Sequence, residues 1–198
     1  VLRVDNTPGV EPKSDFLHGS DLVLFIRETD PSFNFIGACY PEGHGESDSL
    51  EEDIEHLKIK IENGVSHLIT QLFFDNGNFY HFLNLARQKG ITVPVEAGIM
   101  PIVKKSQIER TVTMCGASVP SKLATIISRY ADNPAALMDA GIFYATEQIM
   151  DLLENGVQGI HLYTMNNVEV ASRISRNIEN IIAAKNAGEN HHADTVQS

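Results

Sequence analysis

The sequence has only two cysteines in 198 residues, no long apolar run and too few basic residues to balance its acids. Each lack excludes something. Cys39 and Cys115 stand far apart and Cys39 lies inside an apolar run, so a disulfide framework is not expected and a reducing, cytoplasmic setting fits. No stretch approaches the roughly 18 apolar residues of a membrane span, and no signal peptide is visible at the N-terminus. Fifteen Lys and Arg face 26 Asp and Glu, a net charge of −11. That charge argues against nucleic acid or an anionic membrane as the main partner. An anionic ligand would need a local site, built from backbone N–H groups or one well-placed cation. No G-x-G-x-x-G follows any strand-like run, which argues against a Rossmann-type fold. Internal repeats and low-complexity linkers are absent too. The chain begins at Val1, inside a strand-like stretch, and residues are expected to be missing upstream.

What is present is one domain's worth of chain with 42% apolar residues. Short apolar runs alternate with helical patterns. Strands are predicted at 1–4, 33–40, 67–74, 93–100 and 159–165. Helices are predicted at 19–29, 49–63, 78–89, 104–114, 120–130, 134–155 and 167–185. Ser49 followed by Glu52 is a capping box for the second of these, and Pro120 and Pro134 stand where helices start. Residues 187–198 read as a polar, disordered tail. Repeated strand–helix units imply a parallel sheet covered by helices. Unusual polar residues cluster just after the strands: Asp5, Tyr40 to His44, Gln71, Asp75 and Tyr163 to Asn166. In a (β/α)8 barrel that edge carries the chemistry. Five strands are visible where eight are needed, so the fold is either an open α/β sheet or the last five or so units of a barrel.

Three stretches could carry chemistry. In "YPEGHGES" (40–47), Tyr40 can stack on a flat ligand while using its hydroxyl, Gly43 and Gly45 let backbone come close, and His44 can donate to an oxygen atom. The same residues also suit an ordinary βα turn with a surface histidine. A metal site from His44, Glu46 and Asp48 is a third reading, although the spacing matches no established ligand pattern. On the following helix Leu50, Ile54, Leu57 and Ile61 form the buried stripe, and Asp53, His56 and Lys60 share a face at its margin. Those charges either border a ligand or lie out in solvent. Gln71 closes a strand with a neutral amide able to donate and accept, which suits the edge of a heterocycle or the bracing of a loop.

Taken together, "LRVDNTPG", "ACYPEGHGES", "DIEHLKIKIENGVSHLITQLFFD", "VPVEAGIMPI" and "GIHLYTMN" resemble methylenetetrahydrofolate reductase, the flavin-dependent enzyme of one-carbon metabolism and methionine biosynthesis. The resemblance runs in order over nearly all of residues 1–186. It implies a partial FAD-binding (β/α)8 barrel over 1–186, with FAD across the C-terminal ends of the strands. It implies reduction of 5,10-methylenetetrahydrofolate to 5-methyltetrahydrofolate by NAD(P)H, through FAD in ping-pong order, and a homo-oligomer with a small-molecule folate substrate. Asp5 matches a catalytic aspartate near the flavin N1 edge, where its charge would tune hydride transfer. Arg3, Val4, His18, Gly19, Tyr40, His44, Asp53 and Lys60 fall where the family contacts FAD, and Gln71 and Gln107 where it contacts folate. Val4 stands for the family's glycine, His18 for a more usual tyrosine, and Asn167 for a common arginine. No residue matches the family's general-acid glutamate, so the chain as given is expected to lack that acid. No metal is expected. The competing readings are a truncated or divergent flavin-binding module without catalysis, and a metal-dependent lyase built on His44, Glu46 and Asp48.

Overall fold

The computed structural model describes residues 15–16 and 18–195. The strand predicted at 1–4, and with it Arg3, Val4 and Asp5, lies outside the described residues. The chain divides into two compact units, one holding residues up to Gln71 and Gly77–Ala97, the other Leu72–Asn76 and Gly98 onward.

The first unit starts with α1 (Gly19–Thr29), β1 (Phe35–Cys39), α2 (Leu50–Glu62) and β2 (Val65–Thr70). α3 (Asn76–Gln88) and the start of β3 (Val95–Ile99) complete it. β1 and β2 run parallel, in register from Phe35 opposite Val65 to Cys39 opposite Thr70, with an irregularity between Phe35 and Ile36. β2 and β3 are parallel too, with Ile69 opposite Glu96. Phe35, Gly37 and Cys39 are buried while Ile36 between them is 48% exposed, the alternation of a strand whose two faces differ. The core gathers Val23, Ile54, Leu57, Leu68, Phe79 and Phe82. Ile54 and Leu57 are the centre of the stripe read from the sequence; Leu50 and Ile61, at its ends, are only partly buried.

The second unit contains α4 (Lys105–Cys115), α5 (Ser121–Tyr130), α6 (Pro134–Glu154), β4 (Gly159–Leu162) and α7 (Val168–Thr195). Its core joins Leu72, Phe74, Met100, Ile102, Leu123 and Leu137. β4 lies beside the end of β3, where the Tyr163 N–H donates to the Ile99 carbonyl at 2.9 Å. Sheet order is β1-β2-β3-β4, each strand next to its predecessor in sequence.

Three boundaries differ from the sequence reading by three residues or more. β2 ends at Thr70, not at 74. Leu72, Phe73 and Phe74 are buried in a loop, and an apolar run alone does not separate a strand from a core-filling loop. β4 ends at Leu162. Met165 and Asn166 take φ of 49° and 60°, a left-handed pair that no strand accommodates. α7 is assigned through Thr195 rather than 185, since Ala and Glu in "NAGENHHADT" favour helix and no proline interrupts it. No described helix is long and apolar enough to cross a membrane.

Candidate functional site

β1 delivers Tyr40 to the end of the sheet, and two successive turns follow. The Gly43 N–H donates to the Tyr40 carbonyl at 3.1 Å and the Ser47 N–H to the His44 carbonyl at 3.0 Å. Gly43 sits at φ 86°, a conformation that favours glycine. Ser49 then caps α2, its Oγ accepting from the Glu52 N–H at 3.1 Å. Glu52 reaches back to the Asp48 N–H at 2.6 Å, one residue short of the reciprocal partner a capping box uses. So anchored, α2 presents Asp53, His56 and Lys60 along one side.

That side borders a cavity of about 640 Å³, whose walls include His18, Gly19, Tyr40, His44, Asp53 and Lys60. The six described positions that the sequence assigned to a cofactor therefore surround one space. His44 meets Tyr40 edge-on, with ring centroids 4.6 Å apart and planes at 72°. Lys60 Nζ stands 5.8 Å from the centroid of the Tyr40 ring, in cation–π range. His44 Nδ1 accepts from the Glu46 N–H at 3.2 Å, so the neutral imidazole carries its hydrogen on Nε2 and can donate from there. Asp53 is only 6% exposed. Burial raises its carboxyl above the usual range, against the pull of Lys60, His44 and His56 and a hydrogen bond from the His44 backbone. Beside them, burial pushes the Cys39 thiol far up, so it is an inert core thiol. Neither Cys39 nor Cys115 is in a disulfide.

Gln71 reaches the same sheet edge. Its N–H donates to the Cys39 carbonyl at 2.7 Å, which sets it beside Tyr40 just past the strand ends. Gln107 has a structural task in the second unit: its Oε1 accepts from the Val103 and Lys104 N–H groups, both at 2.8 Å, at the start of α4. His18 precedes α1, its N–H donating to Asp21 Oδ2 at 2.8 Å. Among the described residues no group of three or more His, Cys, Asp and Glu is placed to hold a metal ion. Sequence reasoning missed the half-buried His67–Glu96 pair, 3.0 Å apart on neighbouring strands. Each is a polar residue inside an apolar run, and that was the available signal.

The arrangement is an aromatic face, a cation, a neutral donor and a buried carboxylate around one nucleotide-sized space at the carboxyl ends of parallel strands. Comparison with known proteins identifies the family. The profile of the family "Methylenetetrahydrofolate reductase" matches residues 2–179, and the chain belongs to this family. It is 33% identical over 164 residues to methylenetetrahydrofolate reductase 1 of Schizosaccharomyces pombe, covering 82% of this chain and 27% of that protein. It is 34% identical to the probable NADPH-type enzyme of Caenorhabditis elegans, covering 84% of this chain and 26% of that one. To the 5,10-methylenetetrahydrofolate reductase of Pectobacterium carotovorum it is 31% identical, over 80% of this chain and 53% of the relative. The chain thus spans about a quarter to a half of the length of these relatives. Among solved structures it shares a fold, at TM-score 0.53 and 20% identity, with an uncharacterized Clostridium thermocellum protein that binds two copies of 5-methyl-5,6,7,8-tetrahydrofolic acid. That match covers 81% of this chain and 58% of the other.

Proposed function

We propose that the chain is the flavin-holding part of a methylenetetrahydrofolate reductase, the C-terminal units of a (β/α)8 barrel. The reaction is reduction of 5,10-methylenetetrahydrofolate to 5-methyltetrahydrofolate, with NAD(P)H as reductant and FAD as relay in ping-pong order. The observation that carries this reading is the cavity in which Tyr40, His44, Asp53 and Lys60 converge.

The residues suit such a cofactor. A cavity of about 640 Å³ lies in the usual range for small-molecule sites, roughly 300–1,000 Å³. Tyr40 offers a ring and a hydroxyl. His44 offers the Nε2 donor, and Lys60 a cation held over the Tyr40 ring. Asp53 accepts hydrogen bonds from a sugar hydroxyl or an exocyclic amine. FAD, when bound, supplies a carrier that takes hydride from a nicotinamide and passes it to folate. Gln71, at the same edge, is suited to a pterin rim, which presents donors and acceptors side by side. A folate substrate is in keeping with the ligand of the Clostridium thermocellum protein.

The test is spectroscopic. The natural protein that carries this chain should purify yellow, bleach on addition of NADH or NADPH without oxygen, and regain its colour with 5,10-methylenetetrahydrofolate. Colourless protein that takes up no FAD refutes the reading. Protein that binds FAD but is reoxidised by no folate is the flavin-binding module without catalysis.

A further inference from the structure

α6 carries a glutamine where its pattern calls for a hydrocarbon. Leu137, Gly141, Ala145, Gln148 and Leu152 mark its buried stripe, and Gln148 is 8% exposed. A buried amide is unfavourable unless its donors and acceptors are met. Gln148 Nε2 donates to the Phe73 carbonyl at 3.1 Å. One turn earlier the Tyr144 hydroxyl donates to the Phe74 carbonyl at 2.8 Å. In return Asn76 Nδ2 donates to the Gln148 carbonyl at 3.0 Å and to Asp151 Oδ2 at 2.6 Å. Four bonds thus fasten the loop Phe73–Asn76 to one face of α6, all inside the second unit. On the same helix, a Cβ added to Gly141 would stand 1.8 Å from the Ile102 carbonyl oxygen. The helix backbone therefore abuts the loop that follows β3 as well.

The fastened loop begins one residue after Leu72, and Leu72 follows Gln71 by a single peptide bond. We propose that Gln148 and Tyr144 are positioning residues for Gln71. They hold the carbonyls of Phe73 and Phe74 and so fix the chain that leaves the glutamine, while β1 fixes the chain that enters it. This rests on the folate reading of Gln71 given above. An ordinary core needs no polar group at position 148, because an apolar residue fills an apolar stripe at lower cost. A loop whose carbonyls must be held in one register does need one.

The experiment uses the natural protein that carries this chain, purified with its flavin, as Gln148→Met and Tyr144→Phe. The first keeps volume and loses the Nε2 donor; the second loses only a hydroxyl and carries the test should the first fail to fold. The dissociation constant for 5-methyltetrahydrofolate should rise about three- to tenfold in each, the worth of one hydrogen bond. Flavin content and flavin reduction by nicotinamide should stay within about twofold. Adding Gln71→Ala to either variant should cost little more, because residues acting through one another are not additive. Unchanged folate affinity, full multiplication with Gln71→Ala, or equal slowing of both half-reactions overturns the proposal. If the unaltered protein binds no folate, it is the function that fails. The clamp itself is then decided by hydrogen exchange at residues 71–76: at least about tenfold faster in Gln148→Met supports it, and unchanged exchange refutes it.

Discussion

Asp53 is the residue most at odds with its surroundings. Burial raises its carboxyl, and the neighbouring Lys60 and His44 offset this only in part. Between the ordinary carboxylate value of 3.8 and the raised folded value, the native state binds more protons than the unfolded one. Stability therefore falls as pH rises through that window, and the full cost persists above it. Asp53→Asn removes the charge and should raise Tm at pH 7 by about 2–4 °C, the effect of ~1 kcal/mol in a chain of this size. The gain should vanish below pH 3.8 in thermal scans across pH. Flavin retention in the same variant should drop, a trade expected where an unfavourable group serves a ligand. Gly19 makes the complementary case. It opens α1, and an added Cβ there would meet nothing within 4 Å. Gly19→Ala should leave Tm unchanged or raise it slightly, since Ala is the better helix former by up to about 1 kcal/mol. If Gly19 admits a cofactor closely, flavin content should fall by roughly tenfold on dialysis; unchanged content would make it an ordinary helix start. Asp53 and Lys60 were legible because a spacing of seven fixes a shared helix face. Gln148 was not, since its partner Phe73 is 75 positions away and periodicity names a face but no partner.

At the scale of elements, α2 and α6 carry the argument. α2 was readable to within a residue or two because its signals are local: Ser49 at the start, acids in the first turn, Gly64 beyond the end. Ser49→Ala removes the acceptor for the Glu52 N–H and should cost about 1 kcal/mol, or about 2–4 °C in Tm. Asp53 lies on the next turn, so flavin retention should weaken with it, and a stability loss with no change in flavin would detach the cap from the site. α6 was readable as a helix from Pro134 onward, but its closeness to the Ile102 carbonyl was not, because a glycine inside a helix signals only reduced propensity. Gly141→Ala sets a methyl against a backbone oxygen that cannot swing aside. Its cost should reach or exceed the upper end of overpacking penalties, about 3 kcal/mol, measurable by urea unfolding. A cost near zero would mean the two backbones can part. β2 shows the opposite limit. "LITQLFF" reads as one strand because all its residues but Thr70 and Gln71 are apolar, yet Leu72 and Phe74 join the second unit's core from a loop.

Charge acts at the scale of the whole chain. The net value of −11 repels the proposed ligands, since a flavin dinucleotide and a folate are both anions. The cavity does not reverse this field locally: Lys60 is set against Asp21, Glu46 and Asp53 in the same wall. Affinity must then come from stacking, hydrogen bonds and Lys60, the one Lys or Arg among the described residues of that wall, all short-ranged, while approach takes place against repulsion. Salt screens the long-range part over a Debye length of about 10 Å at 0.1 M and leaves buried contacts largely intact. Raising ionic strength from about 0.02 to 0.2 M should therefore speed FAD association with the apoprotein, by roughly two- to fivefold, a modest effect on the scale of electrostatic steering. The dissociation rate should change much less. A protein that draws its anions in by a basic surface behaves the other way, its association slowing as salt rises. Stopped-flow flavin quenching over a salt series separates the two. Slower association at higher salt would mean that a positive surface outside the described residues governs capture, and that the acidic balance of this chain does not set the field its ligand meets.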